Sequence, residues 1–314
     1  MNDERGGSVE GASGPLGGEG RMESATEAFV TYRNLLFTVA YEMLGSAADA
    51  EDVLQEAWLR WVSVDLATVR DQRAYLVRIV TRQALNRLRT LGRRKESYVG
   101  PWLPEPLLTA PDVAEDVELA DSVSMAMLLV LETLAPTERA VFVLREVFDL
   151  GYDEIAAAVG KSPAAVRQIA HRARSHVAAR RPRDVVSPAA TRDALLAFQQ
   201  AVETGDLTGL LDILAPDVVV LSDGGGLKQA LPRPVAGAGK VARLLTAGLV
   251  RLGGAGASME PVQVNGCPGL LLRIDGELDG VITMRVEDGL VSGIYFVRNP
   301  EKLARVAEEI ALSR

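Results

Sequence analysis

Cysteine is nearly absent from this chain: its 314 residues include one, Cys267. A single thiol excludes a disulfide within the chain and a zinc site built on cysteines, and it fits a reducing cytoplasm. Histidine is almost as scarce. The two copies are His171 and His176, so the whole sequence beyond them lacks a histidine metal ligand or a histidine-based triad. No stretch approaches about 18 consecutive apolar residues, as a membrane-spanning helix requires. No charged-then-apolar opening marks the chain for export, and the cytoplasm is the expected location. The glycine run Gly224–Gly226 lacks the spacing of a phosphate-binding or dinucleotide loop. Asp212, Asp217 and Asp223 are acids that a pocket could use as general bases. Isolated aspartates beside helix and strand ends, however, more often cap or face water. Neither an enzyme nor a cofactor is expected.

What is present is charge, unevenly placed. The net charge is −8, yet residues 70–95 carry 9 basic groups against 1 acidic, and residues 160–183 carry 7 against none. The segments around them are acidic, with 12 acidic groups against 4 basic over 1–69 and 13 against 2 over 96–159. Two basic blocks in an acidic chain suit two separate contacts on one nucleic acid, while the acidic surroundings discourage indiscriminate binding.

The second block carries the sharpest local signal. Tyr152 to Val159 reads as a short helix, Gly160 supplies a turn, and Ser162-Pro163 starts another helix with a hydroxyl cap and a residue needing no N–H. Val166, Ile169, Ala170, Ala173 and Val177 then form one apolar stripe, opposite Arg167, Gln168, His171, Arg172, Arg174 and Ser175. This is the pattern of a helix-turn-helix whose second helix enters a major groove, and a solvated basic helix is the plainer alternative.

Upstream, helical periodicity runs from Ser24 to Gly45. A second helix, capped by Ser46 or Asp49, follows with Val53, Leu54, Ala57, Trp58 and Trp61 facing inward. Asp49, Glu51, Asp52, Gln55 and Glu56 face outward, as a solvated face or a partner surface. A third helix over 73–95 has Leu76, Ile79, Val80, Leu85 and Leu88 on its apolar side, with arginines over the rest. Tyr75 near its start is placed either to stack on an exposed base or to serve as a core aromatic. Residues 1–21 are glycine-rich and expected to be disordered. Met22 opens the periodic sequence and is an alternative start, which the intact mass of the native protein would test.

Residues 97–121 contain four prolines, which forbid a regular helix and mark a linker, although an unusually apolar one. Helix resumes at Met125–Leu134 and from Pro136 to Phe148. Beyond Pro188 come helices over 191–204, 207–214 and 239–250, and strands over 218–221, 262–264, 270–274, 280–286 and 290–297. Asp288-Gly289 makes a hairpin turn, and a last helix is expected from Glu301 to about Leu312. Helices followed by an antiparallel meander imply an α+β domain with a curved sheet.

Three segments together resemble bacterial sigma factors of the extracytoplasmic-function type. AEDVLQEAWLRW (50–61) and RAYLVRIV (73–80) are similar to sigma region 2, and the helix-turn-helix over 151–177 is similar to region 4. WLPEP (102–106), DGGG (223–226) and NPEKL (299–303) resemble the motifs of the subgroup with a fused SnoaL-like (NTF2-like) tail. Leu227 stands between Gly226 and Lys228, so the glycine–lysine spacing departs from that subgroup's pattern. Asn86 stands where many members have aspartate.

The resemblance implies a multidomain fold: two all-α sigma domains, a region 2 helical bundle and a region 4 helix-turn-helix, followed by an α+β NTF2-like cone. The implied boundaries are 22–96 for region 2, 97–124 for the linker, 125–184 for region 4 and 191–314 for the tail. Asp49, Glu51, Asp52, Gln55 and Glu56 would meet the β′ clamp helices of core RNA polymerase, with region 4 near the β flap. Tyr75, Arg78, Arg82, Asn86 and Arg89 would hold the melted −10 strand of promoter DNA. Lys161, Ser162, Arg167, Gln168, His171, Arg172 and Arg174 would bind the −35 element. Trp102, Leu103, Pro104, Glu105 and Pro106, with Asp223, Gly224, Gly225, Gly226, Asn299 and Pro300, would form a regulatory contact between linker and tail. The tail's pocket would hold a small ligand that the sequence does not name. The rival reading is a helix-turn-helix regulator with a ligand-sensing or vestigial-enzyme NTF2-like tail.

Overall fold

A computed structural model describes residues 17–110, 116–180, 188–252, 256–306 and 309–314. Three helices open the chain: α1 (Gly17–Leu44), α2 (Ala47–Trp61) and α3 (Gln72–Glu96). The expectation of disorder over 1–21 fails at its end, because residues 17–21 are the first turns of α1. Once Ala25 and Phe29 are anchored in the core, extending a nucleated helix outward costs little. Residues 1–16 lie outside the described residues.

The linker is less irregular than its prolines suggest. Leu108–Thr109 forms a short strand, β1, and α4 (Val117–Val123) starts at Asp116, whose side chain accepts from the Leu119 N–H at 3.1 Å. The prolines all precede Asp116, so nothing bars that helix. Next come α5 (Met125–Glu132) and α6 (Pro136–Phe142), then a π-helical turn at Val143–Val147 in place of the helix expected to Phe148. The helix-turn-helix consists of α7 (Tyr152–Val159) and α8 (Pro163–Ala178).

The tail contains α9 (Pro188–Thr204), α10 (Leu207–Ile213), β2 (Leu214–Asp223), β3 (Val235–Ala236), α11 (Ala238–Leu252), β4 (Ala257–Val264), β5 (Cys267–Ile274), β6 (Glu277–Glu287) and β7 (Leu290–Val297). The expected final helix is corrected to a single turn, α12 (Pro300–Leu303), and a strand, β8 (Glu309–Ile310). The reason is pairing: β8 runs parallel to β1, which itself pairs antiparallel to β4 at Leu108 and Val264. The sheet order is β3-β2-β7-β6-β5-β4-β1-β8, so a piece of the linker is built into the tail's sheet.

The cores follow the same logic. Regions 2 and 4 share one continuous hydrophobic core, from Ala25 to Val177, which also takes in Leu107 and Leu119 of the linker and Leu312 at the C-terminal end. The tail's helices cover one face of its sheet through Leu195, Phe198, Val241 and Ile294. Its other face packs on Leu103 of the linker and Met125 of α5 through Val264, Leu271, Tyr295 and Val297. The tail is therefore the α+β cone the sequence suggested, with both sheet faces covered.

Candidate nucleic-acid and polymerase interface

The recognition helix is built as its sequence dictates. Gly160 adopts φ +68°, which a side chain would resist, and the Ser162 hydroxyl accepts from the Ala165 N–H at 3.3 Å. Val166, Ile169, Ala170, Ala173 and Val177 are buried, which turns Lys161, Ser162, Arg167, Gln168, His171, Arg172 and Arg174 outward. Arg167, Gln168, His171 and Arg172 line one shallow surface groove. Arg174 is different: it donates to Glu146 at 2.8 Å and to the Tyr152 hydroxyl at 3.0 Å, within its own domain. Arg172 lies 3.7 Å from Glu138.

On α3, Tyr75 is half-buried. One side of its ring tilts against Trp61 at 5.8 Å, and the Arg78 guanidinium lies 4.5 Å from the ring centroid. Asn86 accepts from Arg89 at 3.1 Å. Arg82 is engaged elsewhere, donating to the carbonyls of Ala157 and Ala158 on α7 at 2.8 and 3.3 Å. The surface cavity beside Tyr75 and Arg78 is also walled by Glu154 and Ala157 of α7. Region 4 thus sits over the part of region 2 expected to read melted DNA.

The acidic face of α2 is also partnered. Arg87 of α3 bonds Asp49 at 2.6 Å and reaches Asp52, Arg33 bonds Glu51 at 2.8 Å, and Gln83 donates to Glu56 at 2.8 Å. Gln55 is exposed, and beside this face Leu59 is 68% exposed, an apolar group the charge pattern did not flag.

WLPEP, DGGG and NPEKL converge. Asp223 is fully buried and accepts from the Tyr98 hydroxyl at 2.6 Å, the Leu103 N–H at 2.9 Å, the Gly225 N–H at 3.0 Å and the Lys302 ammonium at 2.7 Å. Lys302 also reaches the Leu103 carbonyl. Burial pulls the Lys302 ammonium below the usual lysine range, and Asp223 opposes that shift. Trp102 takes Lys302 at 4.2 Å and Lys95 at 3.5 Å from its ring centroid. Lys95 in turn pairs with Glu132, which also pairs with buried Arg139. Burial raises the Glu132 carboxyl, but Arg139 and Lys95 outweigh it and leave it below its ordinary range. Pro104 and Pro106 are buried, and Pro300 follows the Asn299 cap at the start of α12.

The glycines of DGGG have a steric reason. A Cβ on Gly224 would lie 2.1 Å from the Lys228 carbonyl oxygen, and one on Gly225 would lie 2.3 Å from the Asn299 side chain. Lys228 itself bonds Asp279 at 2.9 Å, inside the tail. Lys302, by contrast, meets the linker at the Leu103 carbonyl.

Glu105 ties the linker to region 2. Its carboxylate accepts from the Ser46 hydroxyl at 2.9 Å and the N–H groups of Ala47 and Ala48 at 2.6 and 3.1 Å, capping α2. Its carbonyl accepts from the Tyr41 hydroxyl at 2.6 Å.

Residues 28–94 match the model of sigma-70 region 2, and residues 124–177 match that of sigma-70 region 4. The sigma factor SigJ of Mycobacterium tuberculosis is 36% identical over 87% of this chain and 91% of its own. The chain belongs to the extracytoplasmic-function (ECF) RNA polymerase sigma factors. A probable ECF sigma factor of the same organism, SigI, is 31% identical over 92% of this chain and 98% of its own. The crystal structure of SigJ superposes with a TM-score of 0.72, at 34% identity, over 89% of this chain and 98% of that one. The similarity includes the tail as well as the two sigma regions.

Among ECF sigma features, sequence reasoning located the motifs but missed several of the residues that join them. Tyr98, Lys302, Lys95 and Asn265 were not singled out. Lys302 sits inside NPEKL, one turn beyond the Asn299 cap, and an N-cap motif directing a lysine inward was the available signal. Asn265 opens an Asn-Gly pair, which signals the hairpin turn but not the distant partners of its side chain.

Proposed function

We propose that this chain binds core RNA polymerase in the cytoplasm and directs promoter-specific initiation, with α3 and the loop before it on the −10 element and α8 on the −35 element. The tail controls when both can engage. The observation that carries this reading is the closed packing of α3 on α7. Elements centred about 25 base pairs apart lie on the order of 85 Å apart along the duplex, at about 3.4 Å per base pair. Two domains that share one core and are joined through Arg82 cannot span that distance. The described arrangement is the resting one, and promoter binding requires regions 2 and 4 to separate. The linker, held by Asp223 and Lys302, is positioned to resist that separation.

No helix among the described residues is long and apolar enough to cross a membrane, in keeping with a cytoplasmic partner. The tail acts as a regulator without catalysis: Asp223, the one buried candidate base, has its carboxylate occupied by the linker and Lys302. A cavity of about 250 Å³ in the cone, with Phe198, Val220, Ile282 and Phe296 on its wall, suits a small apolar ligand.

In vitro transcription with core polymerase tests the assignment. Arg167→Ala is expected to lose about 1–3 kcal/mol of discrimination at one −35 position while leaving others unchanged. Equal weakening on all promoters would make Arg167 a phosphate contact. Arg82→Ala removes two hydrogen bonds from an exposed guanidinium, worth about 0.5–1.5 kcal/mol each. In the free protein it should speed amide exchange in α7, and with polymerase it should weaken opening of the −10 element. Unchanged exchange in α7 would show that Arg82 does not hold the closed form.

A further inference from the structure

A cavity of about 510 Å³ lies where region 2, the linker, region 4 and the C-terminal end meet. Its wall carries four carboxylates, Glu42 of α1, Glu118 and Asp121 of α4, and Glu146 of the π-helical turn, against two cations, Arg174 of α8 and Arg314. Both cations already have partners: Arg174 bonds Glu146 at 2.8 Å, and Arg314 pairs with Asp116 at 2.9 Å and with Glu118. Glu42 is the exception in that wall. It is fully buried, its Oε1 accepts from the Ser122 hydroxyl at 2.8 Å, and its Oε2 has no hydrogen-bond partner. A buried carboxylate oxygen left unpaired is costly and calls for a donor. Met127, Leu131, Phe142 and Val177 make much of the remaining wall apolar.

We propose that this cavity binds an organic cation, a protonated amine carried on an apolar body, which draws the closed-in Glu42 carboxyl toward the cavity so that the ammonium donates to Oε2. The chemistry excludes the simpler occupants. An anion would meet an excess of carboxylates. A metal ion would need several ligands in one cluster, and no group of three or more His, Cys, Asp or Glu side chains suited to a metal occurs among the described residues. A neutral apolar molecule would leave Oε2 unpaired. The volume lies within the usual range for small-molecule sites. Because the cavity exists only while regions 2 and 4 are packed together, the bound amine favours the closed arrangement. That consequence rests on the functional reading above, whereas the binding itself does not.

Proton uptake supplies an independent signature. Burial pushes the Glu42 carboxyl up to about 8, with Asp121 adding to the rise and Ser122 and Arg139 opposing it. The closed, empty cavity therefore holds a proton on Glu42 from its ordinary range near 4.5 up to about 8. An ammonium partner favours the carboxylate and expels that proton. Glu118, Asp121, Glu146, Arg174 and Arg314 also face the cavity, with Arg174 joined to Glu146 and Arg314 to Glu118 and Asp116, and Glu42→Gln separates the share of proton release that belongs to Glu42.

Isothermal titration calorimetry of the full chain with hexylamine, and with hexanol as its neutral counterpart, tests the proposal. At pH 7, saturable hexylamine binding is expected, at least tenfold tighter than hexanol. Repeating it in buffers of different ionisation heat should show close to one proton released per amine. Glu42→Gln keeps the Ser122 contact and should bind hexylamine at least tenfold more weakly with no proton release. Absence of saturable binding, equal affinity for hexanol, or unchanged binding by Glu42→Gln would each overturn the site. The amine–alcohol comparison uses the unaltered chain, so the test stands even if the variant misfolds. Hexylamine that binds as expected but leaves promoter-directed transcription unchanged would uphold the site and remove its regulatory role.

Discussion

Asp223→Ala is expected to unfasten the linker from the tail and to destabilise the chain by about 3–5 kcal/mol, the usual cost of leaving one member of a buried ion pair alone. The variant strips Tyr98, the Leu103 N–H, the Gly225 N–H and Lys302 of a shared acceptor. Lys302, 8% exposed, would be left beside the Leu103 carbonyl without the carboxylate it bonds. Thermal melts should show the loss, and limited proteolysis should cut faster within 97–107. Pairing the change with Lys302→Met removes both charges and should recover much of the stability, because a buried pair replaced by apolar groups is often neutral. Promoter-directed transcription by the double variant then reports the linker contact without the folding defect. A single variant with unchanged melting and an equally protected linker would show that Asp223 is not the fastening point.

The second large effect is expected at Asn265, in the turn between β4 and β5. Its amide N–H groups donate to the Tyr41 hydroxyl at 2.6 Å and the Val123 carbonyl at 3.0 Å, and its carbonyl oxygen accepts from the Leu107 N–H at 3.0 Å. One fully buried tail side chain therefore bonds α1, the linker and α4 at once. Asn265→Ala leaves the Leu107 N–H and the Val123 carbonyl without that partner, at about 1–3 kcal/mol each. Asn265 also has φ +54°, where an alanine is strained by about 1–2 kcal/mol. Asn265→Gly loses the same bonds without the strain, so it should be the milder variant by about that margin. Denaturant titrations of both variants test this, and an alanine variant within about 0.5 kcal/mol of the parent would refute the role.

Much of this was legible in the residues, for identifiable reasons. The recognition helix could be read because its cap, its glycine turn and its apolar stripe are all local, and such signals survive whatever the rest of the chain does. On α2, Gln55 and Glu56 face outward as their spacing implies, whereas Asp49 is half-buried. That Arg87 would bridge Asp49 and Asp52 was not legible, since pairing between helices depends on their packing. The end of the chain was misread for a related reason. Residues 301–312 have helical periodicity, but a single turn gives way to β8 because β1 offers a ladder partner roughly 200 residues away in sequence.

WLPEP could be recognised as a linker motif, and its apolar character implied that it docks. Its composition did not reveal that Glu105 caps α2 while Leu103 reports to Asp223, so that one short segment joins region 2 to the tail. The sequence by itself determined the parts: two basic blocks, an acidic helix, a helix-turn-helix and an α+β tail, each written in local periodicity and caps. Only the tertiary structure decided their relation, with α3 closed on α7 and the linker strand inserted in the tail's sheet. The physical reason is that buried ion pairs, shared hydrogen-bond acceptors and strand partners are chosen by groups far apart in the chain, and no local pattern records which of them meet.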